Sequence, residues 1–210
     1  MRNTLIFAIA IIALLFSSCH GERKRVIESE LPLEKFVSDF RKQYPNYFQN
    51  DILTSKGDSA FLAQIEANVD TLHLFEGIPV RLKAITKDSK GGYVAQFRCV
   101  GFQTRGFEYK DSITEVMFDM WGNVNEEMVN KLEEEKDYSF YGKCIGFLKT
   151  YEMAQVISNS RPTVWTPEIK LRQDDIYKEK VEVMLGMSYW QIDSIIDFKG
   201  RPSETIIEKY

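Results

Sequence analysis

The stretch IPVRLKAITKDSKGGYVAQFRCVGF, residues 78–102, decides the architecture. Ile78, Val80, Leu82 and Ala84 alternate with Pro79, Arg81 and Lys83, and Ala95, Phe97 and Cys99 alternate with Gln96 and Arg98. A period of two belongs to a strand with one face on a core and one toward solvent. Between the runs, KDSKGG at residues 87–92 supplies the Gly, Asp and Ser chemistry of a turn. Two strands joined by a tight connection are therefore expected here.

Downstream, the same period returns at residues 112–121, where Thr114, Val116, Phe118 and Met120 oppose Glu115, Met117 and Asp119. Residues 125–136 (NEEMVNKLEEEK) put acids in a first helical turn and Met128, Val129 and Leu132 on one side, which predicts a short amphipathic helix. A fourth strand follows at 138–148 (YSFYGKCIGFL), with Gly142 and Gly146 as points of sharp bending. Residues 166–173 read as a fifth, with Ile169 and Leu171 inward. The expected order is β-β-β-α-β-β.

Upstream, Leu33, Phe36, Phe40 and Tyr44 follow helical spacing until Pro45 ends the run. A second helix is expected at 58–68, with Phe61, Leu62, Ile65 and Val69 on one face and Ser55 or Asp58 as cap. Near the C-terminus, Ser188 and Gln191 have the spacing of a capping box, Met187 can staple onto Ile192, and Ile192, Ile195 and Ile196 make one face, which predicts a C-terminal helix. The organisation read from the chain is a leader at 1–18, a flexible tether at 19–30, a helical segment at 31–72, a β-barrel domain at 76–178, and a helix with a short strand at 181–210. The fold class is α+β.

With 210 residues, 44% of them hydrophobic, the chain suffices for one ordinary domain with appendages and is neither disordered nor multiply membrane-spanning. Its formal charge of −4 leaves no basic surplus to neutralise a phosphate backbone, which argues against nucleic acid as a partner.

The leader joins Arg2 to LIFAIAIIALLF at residues 5–16 and ends in Ser17-Ser18-Cys19. The apolar run is shorter than the about 20 residues a bilayer span needs, as in a secretory signal. Phe16-Ser17-Ser18-Cys19 resembles a bacterial lipobox. The resemblance implies cleavage before Cys19, lipidation of its thiol, and a mature protein held by acyl chains on an envelope membrane. With His20 following the cysteine, the outer membrane is favoured over the inner.

The run Tyr141-Gly142-Lys143-Cys144-Ile145-Gly146 resembles the fourth strand of the tRNA_anti-like OB domains of bacterial envelope proteins, over about residues 76–178. That resemblance implies a five-stranded Greek-key barrel which meets ligands on the outer face of its second and third strands and on two of its loops. Gly186, Met187, Ser188, Gln191, Ile192, Gly200 and Pro202 resemble the opening helix of the SmpA/OmlA-type outer-membrane lipoprotein domain.

The search for chemistry mostly excludes. His20 and His73 stand far apart with no C-x-x-C or H-E-x-x-H, so no metal site or cofactor is expected. GFQTRG at 101–106 has the glycine spacing of a phosphate loop, but Phe107 and Glu108 stand where Lys and Ser/Thr would meet phosphate and magnesium. Glu133-Glu134-Glu135 and Asp174-Asp175 read as solvated faces, and no catalytic residue is assigned. On the expected binding surface lie Arg98, Phe102 and Arg105, joined by Tyr151 and Trp165 from the long segment 149–165. Aromatics beside arginines suit sugar rings, bases or peptide side chains. Cys99 and Cys144 either pair as a disulfide or remain small buried hydrophobes, and both alternatives stay open.

The expected function is a non-enzymatic envelope lipoprotein whose barrel binds a protein partner or a glycan. The rivals are an OB-type nucleic-acid binder and an enzyme of unrecognised type. The latter would require a cleft with desolvated acids, around Glu115 or Asp119 for example.

Overall fold

The hairpin forms where the alternation expects it. In the computed structural model, which describes residues 22–88, 90–99, 113–148, 168–201 and 203–209, β2 (Val80–Lys87) pairs antiparallel with β3 (Tyr93–Cys99), Val80 opposite Cys99 and Lys87 opposite Tyr93. Asp88 Oδ1 accepts the amides of Lys90 and Gly92 at 2.7 and 2.8 Å, which closes the turn. Gly91 sits there at φ 85, a left-handed conformation that glycine adopts without penalty.

The third alternating run is β4 (Ile113–Val124), antiparallel to β3 with Phe97 opposite Met120. Val80, Leu82, Ala95, Phe97, Val116, Phe118 and Met120 all enter one core, so the parity read from the sequence holds across three strands. After β4, Asn125 accepts the Met128 amide and starts α3 (Glu126–Val129). The helix expected over 125–136 ends after this one turn. Glu133 N donates to the Tyr138 hydroxyl and Glu135 takes a positive φ of 62, which turns the chain toward the next strand.

That strand, β5 (Asp137–Leu148), runs beside β7 (Val181–Asp197) for its full length and touches β2 at only two pairs, Val80 with Tyr138 and Arg81 with Asp137. A forked ion pair, Arg81 Nε and Nη2 to Asp137 at 2.7 and 3.2 Å, reinforces this short seam. β7 also lies parallel to β4, Ile113 opposite Val181 and Asn123 opposite Gln191. The sheet order β4-β3-β2-β5-β7 therefore closes on itself, and β6 (Ile169–Gln173) adds to the first half of β7. The result is an α+β, barrel-like fold with six strands in its sheet rather than the expected five.

The helix expected from Ser188 is corrected to strand. Residues 187–191 of β7 are hydrogen-bonded between β4 and β5, and from Val183 to Ser188 every side chain is buried. The extra residue Asp193 in the β5 pairing lets Ile192 and Ile195, three apart, both face the core, so their spacing alone cannot separate a bulged strand from a helix. Two ladders outweigh one capping box.

On the other side of the sequence, α1 (Pro32–Gln43) and α2 (Asp51–Asn68) pack Leu33, Phe36, Val37, Phe40, Phe61 and Ile65 into the barrel's core cluster. α2 begins seven residues before the expected start, with Asn50 accepting the Leu53 amide at 3.0 Å as its cap. Gly57 hides this extension in the sequence. A Cβ there would lie 2.4 Å from the Tyr47 ring, so the glycine is demanded by packing.

The chain divides into two compact units, residues 30–199 forming the larger. In the smaller, β1 (Glu22–Glu28) pairs antiparallel with β8 (Ser203–Lys209), Glu22 opposite Lys209 and Glu28 opposite Ser203. Most of the expected tether is thus paired strand, because the end of the chain supplies its hydrogen-bonding partner.

Candidate functional site

Beyond α2 the chain makes a tight, internally bonded turn. Leu72 N donates to Asn68 O, Leu74 N to Val69 O, Glu76 N to His73 O, and Ile78 N to Phe75 O. His73 takes a left-handed φ of 49 to allow this. The turn sends Leu74 and Phe75 inward and leaves His73 and Glu76 exposed.

Phe75 then meets aromatic rings from three strands. Its centroid lies 4.8 Å from Phe118, 5.0 Å from Trp190 and 6.4 Å from Phe140, and Phe140 lies 5.1 Å from Trp190, all edge-to-face. Trp190 Nε1 donates to Ser188 Oγ at 2.7 Å, so the indole is held with its polar atom satisfied. Phe75, Phe140 and Trp190 form the floor of a cavity of about 210 Å³, rimmed by Asp70, His73, Glu76, Tyr141 and Asp193. Tyr141 is 45% exposed and stands at the opening.

The cavity owes its shape to the β5–β7 pairing. The register shifts between Tyr141 and Gly142, where a Cβ on Gly142 would lie 2.2 Å from Gln191 O. The residue left over is Asp193 on β7, a bulge that places it beside the cavity, while Tyr141 stays opposite Ser194. Asp70 Oδ1 accepts the Cys144 amide at 2.8 Å, capping β5 where β2 no longer accompanies it. Burial, with the Asp70 carboxylate nearby, pushes the Cys144 thiol up to about 12.

Three carboxylates, an imidazole and an exposed phenol surround the aromatic floor, and the lining residues include no Lys or Arg. Such a cavity offers hydrogen-bond acceptors to a donor-rich ligand and one aromatic face for stacking. Its three carboxylates disfavour an anion.

The residues singled out from the sequence fare differently. Arg98 is half-exposed on β3, with Nε 3.5 Å from Asp119 Oδ1, and Asp119 is fully buried. Around that pair the outer face of the sheet is closed. Val94, Trp121, Leu148 and Met187 form a second, smaller apolar cluster, and Gln96 is buried beside it. The acid at Asp119 is thus desolvated but neutralised by an arginine, and it lines neither cavity described here. Phe102, Arg105, Tyr151, Trp165 and Cys19 lie outside the described residues.

The disulfide left open by the sequence is not formed, as Cys99 and Cys144 are both buried thiols. Cys99 is opposite Val80, which is opposite Tyr138, six positions along β5 from Cys144. At about 3.3 Å per residue the offset is about 20 Å, beyond any disulfide.

Sequence reasoning missed the cavity's residues because they converge from the turn after α2, from β5 and from a strand taken for a helix. The faint signal was Trp190-Gln191-Ile192-Asp193, apolar and polar in alternation with a period of two. A second groove, about 610 Å³, runs between α1 and α2 over Phe36 and Phe40. Among the described residues no group of His, Cys, Asp and Glu is arranged to hold a metal, and no helix is long and apolar enough to cross a membrane. No family model, curated protein or solved structure matches the chain.

Proposed function

We propose that this chain is a lipid-anchored, non-enzymatic envelope protein whose barrel is of the OB type and binds a glycan or a protein partner through the cavity beside Tyr141. The OB reading is supported by the ring order β2-β3-β4-β7-β5, by α3 between β4 and β5 along the chain, and by the parallel β4–β7 closure. β6 is then an added strand. The anchor is supported by the Phe16-Ser17-Ser18-Cys19 tetrad after a short apolar run.

The observation that carries the binding function is the cavity itself. An exposed tyrosine face surrounded by Asp70, Glu76 and Asp193 matches a sugar ring, which has an apolar face to stack and hydroxyls to donate. We favour a glycan on this ground. The outer face of β3 and β4, where OB barrels often meet ligands, is buried around Trp121 and is the weaker candidate.

The test is a titration of the full chain with soluble cell-wall glycan fragments, followed by tryptophan fluorescence and calorimetry. Binding is expected, with Tyr141→Ala and Asp193→Asn each weakening it at least about tenfold, the order of one lost stacking or charge-assisted contact. Absence of binding, or binding indifferent to both substitutions, would overturn this assignment. Envelope crosslinking that captures one protein in wild type but not in Tyr141→Ala would turn the reading to a protein partner.

A further inference from the structure

The connection between β6 and β7 ends in an apolar tip. Ile176 is 80% exposed, the highest value for a large hydrophobic side chain among the described residues, and Tyr177 beside it is 50% exposed. Isolated surface apolar residues need no explanation. Here, however, the loop is built to hold them outward. Asp174 Oδ1 accepts the amides of both Ile176 and Tyr177, at 2.7 and 2.6 Å. Asp174 N donates to Lys180 O, Lys180 N to Tyr177 O, and Gln173 Nε2 to Lys178 O.

These bonds bear on what the tip can enter. The amides of residues 174, 176, 177 and 180 and the carbonyls of 177, 178 and 180 are all satisfied within the loop. Water need not solvate them, so moving the tip into a less polar medium strands none of these groups. The flanking charges are arranged likewise. Lys178 faces Asp175 at 3.8 Å, and the Lys180 ammonium lies 5.2 Å from the Tyr177 ring centre. An aliphatic tip, a tyrosine beside it and lysines on long stems are the side chains that settle at a lipid–water interface.

We propose that the Ile176–Tyr177 tip dips into the surface of a lipid bilayer and fixes the orientation of the barrel against it. The partner is lipid because the tip is exposed, internally bonded and two side chains wide, which suits a deformable surface. Two side chains hold a protein on a membrane only weakly, so the role of the tip rests on the lipid-anchor reading above for its biological setting.

The full chain, purified from its own cell fraction, would carry an environment-sensitive fluorophore on Glu179→Cys, the buried thiols Cys99 and Cys144 being protected. Vesicles of phosphatidylethanolamine and phosphatidylglycerol should shift the emission to the blue and raise its intensity severalfold. Ile176→Ser combined with Tyr177→Ser should abolish the shift, with vesicle partition lowered about tenfold through lost apolar area. Far-UV circular dichroism should be unchanged, since both side chains are exposed. The mass of the N-terminal peptide in the same preparation reads whether Cys19 is acylated, so failure of the anchor and failure of the tip are distinguished. Unchanged emission on adding vesicles, or a shift that survives the serine pair, overturns the proposal. So does a shift produced by raising protein concentration without lipid, which identifies a second copy as the occupant.

Discussion

The backbone amide of Leu171 donates to the hydroxyl of Tyr47 at 3.2 Å, across 124 positions of sequence. The same hydroxyl donates to Asp58 Oδ1 on α2, and its ring lies against Gly57. One buried side chain thus joins the helical pair to the edge of β6. Asp70 does the same for β5 through the Cys144 amide. Both caps occupy strand amides that would otherwise be open for pairing.

Replacing Tyr47 by phenylalanine should therefore expose the importance of the cap without emptying the ring's site. The Leu171 amide loses its acceptor and the Asp58 carboxylate loses a donor. Stability to urea should fall by about 1–3 kcal/mol, the cost of a buried polar group left without its partner. An unchanged unfolding midpoint would show that water replaces the hydroxyl.

The two glycines of β5 should respond oppositely. Gly142→Ala would place a methyl 2.2 Å from the Gln191 carbonyl, against backbone that cannot swing away, and should cost about 1–3 kcal/mol. Gly146 has open space around the same position, so Gly146→Ala should change stability by no more than about 0.5 kcal/mol. Thermal unfolding of the two variants separates them.

Thiol chemistry offers a third check. Burial holds the Cys144 proton up to about pH 12, so almost no thiolate exists near neutrality, and Cys99 is buried as well. Iodoacetamide should leave both unmodified in the native protein and label both in denaturant, as read by peptide mass. Under an oxidising buffer no bond between them should form. Rapid native labelling of Cys144 would contradict its surroundings in β5.

For the anchor, Cys19→Ser should release the protein from membranes or leave the precursor uncut, as read by fractionation and immunoblotting. A processed, membrane-held pool identical to wild type would refute lipidation at this residue.

Much of the barrel could be read directly because the core-facing residues of β2, β3 and β4 alternate in sequence with mostly polar or charged ones. Their apolar residues alternate, and Phe97, Phe118 and Met120 entered the core on the parity expected of them. The first helix was as legible, since Pro45 bounds it and a single stripe faces inward. The cavity beside Tyr141 was not legible at all. Asp70, Tyr141 and Asp193 lie on three separate segments, brought together by the bulge at Asp193 and the turn through His73.

The amino-acid order by itself determined where the core-facing strand residues fall, where the hairpin turns, and that a short apolar run precedes Cys19, because each depends on neighbours a few residues away. Tertiary structure alone decided that residues 188–197 are strand, that residues 22–28 pair with the chain's end, and that the cysteines stand apart. Those outcomes depend on ladders between distant segments. A strand hydrogen-bonded on both sides gains more from its partners than a capping box or a helical spacing of isoleucines supplies locally.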